Sequence, residues 1–133
     1  MLSELLREKP DVSVVHRMDR QPQSSICITS ITLMEIGYGL QSLPAGRRSA
    51  RLMRELEDVL TQEIEERYAS FDTAAAQQAA SLLAARRQQG RPIEFRDTMI
   101  TGIVMSRHAI LATRNTAHFP DLRSNVVNPW NPW

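Results

Sequence analysis

The stretch that decides the fold is residues 95–112, FRDTMITGIVMSRHAILA. Ile100, Ile103 and Val104 recur at helical spacing, and Asp97 lies one turn earlier, on or beside the face those residues should bury. Ala109-Ile110-Leu111-Ala112 then forms a short apolar run that reads as a buried strand. A helix feeding such a strand is half of a parallel βαβ unit. It leaves a carboxylate beside the core to be explained.

Outward from that stretch the same alternation recurs. Ile26-Cys27-Ile28 reads as a second buried strand, and Ser30 or Thr32 can cap a helix carrying Leu33, Ile36, Leu40 and Leu43 that ends near Pro44-Ala45-Gly46. Leu52, Leu56, Val59 and Leu60 mark a further helix, and Tyr68-Ala69-Ser70-Phe71 a short strand. Asp72 can cap the alanine-rich helix over residues 73–89, with Gly90 placed to end it. Asn125-Val126-Val127 reads as the last strand. At the other end, residues 2–7 look like the remainder of a helix, and Pro10 opens another through Val12, Val15 and Met18. Strands separated by helices predict an α/β fold, a parallel sheet covered by helices on both faces. No linker divides the chain, so residues 1–133 are expected to form a single domain.

Composition narrows the setting. Hydrophobic residues make up 42% and charged residues 23%, which places the chain among globular rather than disordered proteins. Cys27 is the lone cysteine, so no disulfide can form within the chain, and a reducing cytoplasm is the expected compartment. Glu4 interrupts the first apolar run and no basic segment precedes it, so no signal peptide is expected. No apolar stretch approaches the length of a membrane span.

Charge is unevenly spread. The net charge of +1 says little about nucleic acid, but 15 of the 16 basic residues are arginine, whose planar fork suits phosphate. Between residues 86 and 123 seven arginines face three acids, a local balance of +4, whereas residues 55–66 hold six acids and no base. Both patches also fit solvated helix faces.

In open parallel sheets ligands collect beyond the carboxyl ends of the strands. Glu35 follows the strand at Ile28, Asn115 follows the strand at Ala112, and Asp97 opens the late helix, so the three are expected to converge at one sheet edge. Clustered carboxylates repel unless a cation offsets the cost. Magnesium, bound by one or two carboxylates with waters and phosphate oxygens, is the usual solution, and it suits phosphodiester hydrolysis. Each acid also has a plain structural reading. Glu35 stands at capping-box spacing from Thr32, and Asp97 suits the positive end of a helix dipole.

Several stretches together resemble the PIN-domain ribonucleases of the VapC toxin type. They are Leu2-Ser3-Glu4-Leu5-Leu6-Arg7, Ser30-Ile31-Thr32-Leu33-Met34-Glu35-Ile36, Leu43-Pro44-Ala45-Gly46-Arg47-Arg48, Gly90-Arg91-Pro92-Ile93 with Asp97, Leu111-Ala112-Thr113-Arg114-Asn115-Thr116, and Val127-Asn128-Pro129-Trp130. The resemblance implies a PIN-like fold and endonucleolytic cleavage of RNA. It implies a site for Mg2+, with Mn2+ as substitute, formed by Glu35, Asp97 and Asn115. It also implies the toxin role in a type II toxin–antitoxin system, a cognate antitoxin and a homodimer. Arg96 and Arg114 flank the expected site, where they can hold RNA phosphates or form surface salt bridges.

Two departures from the family pattern stand out. The family's first strand ends in an Asp-Thr-Asn motif before the segment matched by residues 2–7, and neither that strand nor its aspartate is present here. The chain is therefore expected to be N-terminally truncated relative to the family, with two neighbouring strands left short of a partner. In addition, His118 stands where relatives often place an aspartate. The alternative function is a catalytically inactive PIN-fold remnant that binds only antitoxin or RNA. His16 and His108 carry no metal-ligand spacing, and Trp130 and Trp133 suit base stacking or anchoring of the chain end.

Overall fold

Successive residues along the strands enter different hydrophobic clusters, and that alternation sets the layers. In this computed structural model, residues 4–7 are described as backbone and residues 26–128 in full. The sheet has five strands: β1 (Glu4–Arg7), β2 (Ile26–Thr29), β3 (Tyr68–Ala69), β4 (Ile110–Thr113) and β5 (Val126–Val127), in the spatial order β3-β2-β1-β4-β5. Cys27, Ala69, Leu111 and Val126 point into the main core, whereas Ile26, Ile28, Ile110, Ala112 and Val127 fall into separate clusters. Neighbouring residues on one strand thus serve opposite faces, as the two-residue repeat of a strand requires.

Among the described residues four α-helices connect these strands: α1 (Ser30–Gln41), α2 (Arg47–Asp58), α3 (Thr73–Gln88) and α4 (Phe95–Ser106). Helix α2 continues into a π turn, Val59–Glu63, whose Val59 and Leu60 pack with Ile28, Ile36, Leu56 and Ile64. Helices α3 and α4 supply Ala75, Ile100, Ile103 and Val104 to the main core. The expected α/β arrangement, with helices packed over a sheet, is present. Among the described residues no helix is long and apolar enough to cross a membrane.

The N-terminal segment departs from expectation. Residues 4–7 form a strand where the sequence suggested a helix remnant, and that strand lies between β2 and β4. It runs antiparallel to both, with Leu6 opposite Cys27 on one side and Leu111 on the other, whereas β2–β3 and β4–β5 are parallel. The sheet is therefore mixed. Interior strands left apart would carry unpaired N–H and C=O groups, and β1 satisfies them. The helix expected from Pro10 through Met18 lies outside the described residues, as do His16, Trp130 and Trp133.

Local chemistry accounts for the other boundaries. Asp72 caps α3 by accepting from Ala75 N at 3.0 Å, and Gly90 follows the helix at a φ of +69°, where a side chain would be strained. The cap of α1 is Thr29 rather than Ser30 or Thr32, because β2 runs one residue further and its Thr29 Oγ1 accepts from Thr32 N at 3.0 Å. Ser30 instead accepts from Phe71 N at 3.1 Å, tying the start of α1 to the segment after β3. Beyond β4, Asp121 accepts from Arg86 at 2.6 Å and Arg91 at 3.2 Å, which fastens the 3-10 turn at Pro120–Asn125 to the end of α3. Burial acts to raise the Asp121 pKa, but the bonds from Arg86 and then Arg91 prevail and hold it below the ordinary 3.8.

Helix α4 approaches α3 closely at one glycine. A Cβ on Gly102 would lie 2.6 Å from the Ala75 carbonyl oxygen and 3.2 Å from the Ala79 Cβ, so the alanine-rich face of α3 and Gly102 fit only together. Gly102→Ala should therefore destabilise the fold by about 1–3 kcal/mol through overpacking, despite alanine's better helix propensity. Chemical denaturation of the two proteins would check this, and equal or higher stability of the variant would refute the close-packing account.

Candidate active site

The dry faces of the sheet leave its strand ends as the place for polar chemistry, and two of those ends matter. Strand β2 passes through Thr29 directly into α1, whose second turn carries Glu35. Helix α4 begins after its cap Glu94, whose carboxylate accepts from Arg96 N at 3.0 Å and Asp97 N at 2.9 Å. Burial acts to raise the Glu94 pKa, yet the backbone bonds from Asp97 and Arg96 outweigh it and hold the group below its ordinary 4.5. That cap fixes the first turn of α4 and with it the direction of Asp97.

Arg96 joins the two carboxylates. Its Nε and Nη2 donate to Glu35 Oε1 at 2.6 and 2.5 Å, and its Nη1 donates to Asp97 Oδ1 at 2.6 Å. Asp97 and Glu35 therefore lie within the span of one guanidinium, although they belong to different helices. The Asp97 side chain is 13% exposed, that of Arg96 29% and that of Glu35 40%, so the cluster opens to solvent on the Glu35 side. Partial exposure screens these ion pairs and limits what they add to stability.

The loop after β4 reaches the same place through His118, whose Nδ1 lies 3.8 Å from Asp97 Oδ2. Asn115 occupies the loop but uses its backbone: its N–H donates to Thr113 Oγ1 at 3.1 Å, and its carbonyl accepts from His118 N at 3.0 Å. Arg114 is exposed at the end of β4. The structure thus brings Glu35 and Asp97 together as expected, adds Arg96 between them, and places His118 closer to Asp97 than its loop position alone suggested. The capping-box reading of Glu35 fails because Thr29 is the cap and Glu35 stands beyond its reach.

Whether this donor set suits a divalent ion is decided by its chemistry. Magnesium uses few protein ligands, often one or two carboxylates, and keeps several waters. Glu35 and Asp97 supply that minimum, with one Asp97 oxygen facing His118 and one Glu35 edge facing solvent. Among the described residues no group of three or more His, Cys, Asp or Glu comes together as a fuller metal cage.

Comparison with known proteins shows the family and the fold. The chain is 32% identical over 130 residues to a plasmid stability protein, StbB, of Pseudomonas syringae, covering 98% of this chain and 94% of that one. It is 30% identical over 132 residues to the VapC ribonuclease Y4jK of Sinorhizobium fredii, covering 99% and 94%. The chain belongs to the VapC family of ribonuclease toxins. No family model matches it. The fold agrees with that of the FitAcB crystal structure from Neisseria gonorrhoeae, with a TM-score of 0.74 at 26% identity over 94% of this chain and 90% of that one. The PIN-like resemblance read from the sequence is borne out.

The cap that aims Asp97 is testable by itself. Glu94→Ala should lower stability by about 1 kcal/mol at neutral pH. Because the folded pKa of Glu94 is lowered, its stabilisation is present above the ordinary 4.5 and fades as pH falls through the lowered value. Thermal melts of both proteins between neutral and acidic pH should show their difference shrinking, and a difference that persists in acid would rule out the carboxylate cap.

Proposed function

We propose that this VapC family member is a divalent-metal-dependent endoribonuclease, the toxin of a type II toxin–antitoxin pair, acting as a homodimer and restrained by a cognate antitoxin. One observation carries the reading: Glu35 and Asp97, from helices that follow different strands, share a single cation at the end of the sheet. Two carboxylates at that separation need positive charge beside them. Kinship supports the substrate class, since a relative in Shigella flexneri, 31% identical over 129 residues, is a tRNA(fMet)-specific endonuclease.

In this reading Glu35 and Asp97 hold Mg2+ or Mn2+. When bound, the ion supplies Lewis acidity toward a phosphoryl oxygen and makes a coordinated water more acidic. Asn115 stands in the neighbouring loop, where its side chain can accept a hydrogen bond from water at the site. Arg114 and Arg96 hold RNA phosphates, contacts that provide affinity and register without reading sequence. Glu94 keeps the first turn of α4 in place, so Asp97 needs little rearrangement.

A second reading is a module that binds antitoxin or RNA without cutting. The lack of a third acidic ligand among the described residues favours it. Cleavage of RNA by the purified chain, with Mg2+ or Mn2+ and with EDTA as control, separates the two. Asp97→Asn and Glu35→Gln should each slow cleavage by about 100-fold, the scale seen when one preorganised polar group is removed from a site, while both variants stay folded. Cleavage that persists in EDTA, or that Asp97→Asn leaves untouched, would sink the metal site. A folded chain that binds RNA but never cuts it would establish the binding module.

A further inference from the structure

We infer that Arg96 is an internal counter-ion for the Glu35–Asp97 pair, one that a divalent cation must displace. The inference rests on the metal-site reading above. Neighbouring residues on a helix normally point apart, yet the Arg96 guanidinium turns back to Asp97, the next residue, and also reaches Glu35 on α1. Three donors of one planar fork are spent on two carboxylates. That arrangement offsets part of the charge without metal, because a guanidinium bridges carboxylates with charge-assisted bonds and stays protonated.

The neutralisation is incomplete. One positive charge faces two negative ones, so a divalent ion neutralises the pair more fully than Arg96 does. A divalent ion held by these two carboxylates would lie close to the guanidinium bound at Glu35 Oε1 and Asp97 Oδ1, and the two cations repel each other there. Arg96 can leave because its side chain is 29% exposed and flexible, and Glu35 is more exposed still. Once released, it stays in the first turn of α4 beside the site, where an RNA phosphate is a suitable new partner. Metal entry and phosphate capture are thereby coupled through one side chain, and the metal-free site is held closed by its own arginine.

Removing Arg96 should strengthen metal binding rather than weaken it. Mn2+ binding to the full chain, followed by loss of the free Mn2+ paramagnetic resonance signal, would be compared for wild type, Arg96→Gln, Arg96→Lys and Asp97→Asn. Arg96→Gln should bind Mn2+ about tenfold more tightly, the equivalent of one charge-assisted pair. Its melting temperature should fall in EDTA and rise on adding Mn2+ by more than that of wild type. Arg96→Lys keeps the charge but loses the fork, so its affinity should lie between the two, and it carries the comparison if Arg96→Gln does not fold. Equal or weaker Mn2+ binding by both Arg96 variants, with binding still lost in Asp97→Asn, would overturn the counter-ion role alone. No Mn2+ binding by any folded variant would overturn it together with the metal site.

Discussion

Along β4 and most of β2 both faces of the sheet are dry, and that constraint governs where charge can go. Residues Ile110 to Thr113 of β4 are all buried, and Ile28 of β2 is fully so. An ionised group on either strand would face hydrocarbon without a partner, at a cost no single contact offsets. Polar function is therefore displaced to the strand ends. Thr29 and Thr113 mark the border, spending their hydroxyls on Thr32, and on the backbone of Thr32 and Asn115. The carboxylates begin just beyond it.

The parts of this architecture that were legible in the sequence are those with local causes. Asp72, Gly90 and the apolar spacing of α4 act within a few residues, and each does what its chemistry predicts. The strands at Ile26–Thr29 and Ile110–Thr113 were legible because their short length and the β-branched Ile26, Ile28 and Ile110 favour strand where the apolar pattern alone is ambiguous. β1 was not. Leu5 and Leu6 form too short an apolar run to distinguish helix from strand, and their state depends on β2 and β4, which lie far along the chain. A pairing requirement of the whole sheet outweighed the local pattern.

The site divides in the same way. Convergence of Glu35 and Asp97 followed from topology, because the N-terminal parts of α1, which leaves β2, and of α4, which returns the chain to β4, lie at the same edge of the sheet. The bond partners did not follow. Thr32 and Glu35 matched a capping-box spacing, but β2 extends through Thr29, and this shift of one residue freed Glu35 from the helix terminus. Arg96 matched either a phosphate-binding role or a salt bridge by position, and sequence could not name its partners, two acids that are 61 residues and one residue away. Side-chain direction, which sequence spacing leaves open, decided that outcome.

Charge around the first turn of α4 follows an order set by geometry. Glu94 sits at the helix start and takes the exposed backbone N–H groups of Arg96 and Asp97, so those donors are spent before Asp97 needs them. The Asp97 carboxylate is thereby left to find its partners sideways, in Arg96 and toward His118. The family resemblance points to an aspartate at the position of His118, and the difference bears on the electrostatics of the pair. An acid there would add a third negative charge to a pair that one guanidinium already balances only in part. A histidine adds no fixed negative charge, so one arginine can hold the site together. The presence of Arg96 between the acids and a histidine at position 118 are thus mutually consistent: each reduces the demand for outside cations that a fuller acidic cluster would impose.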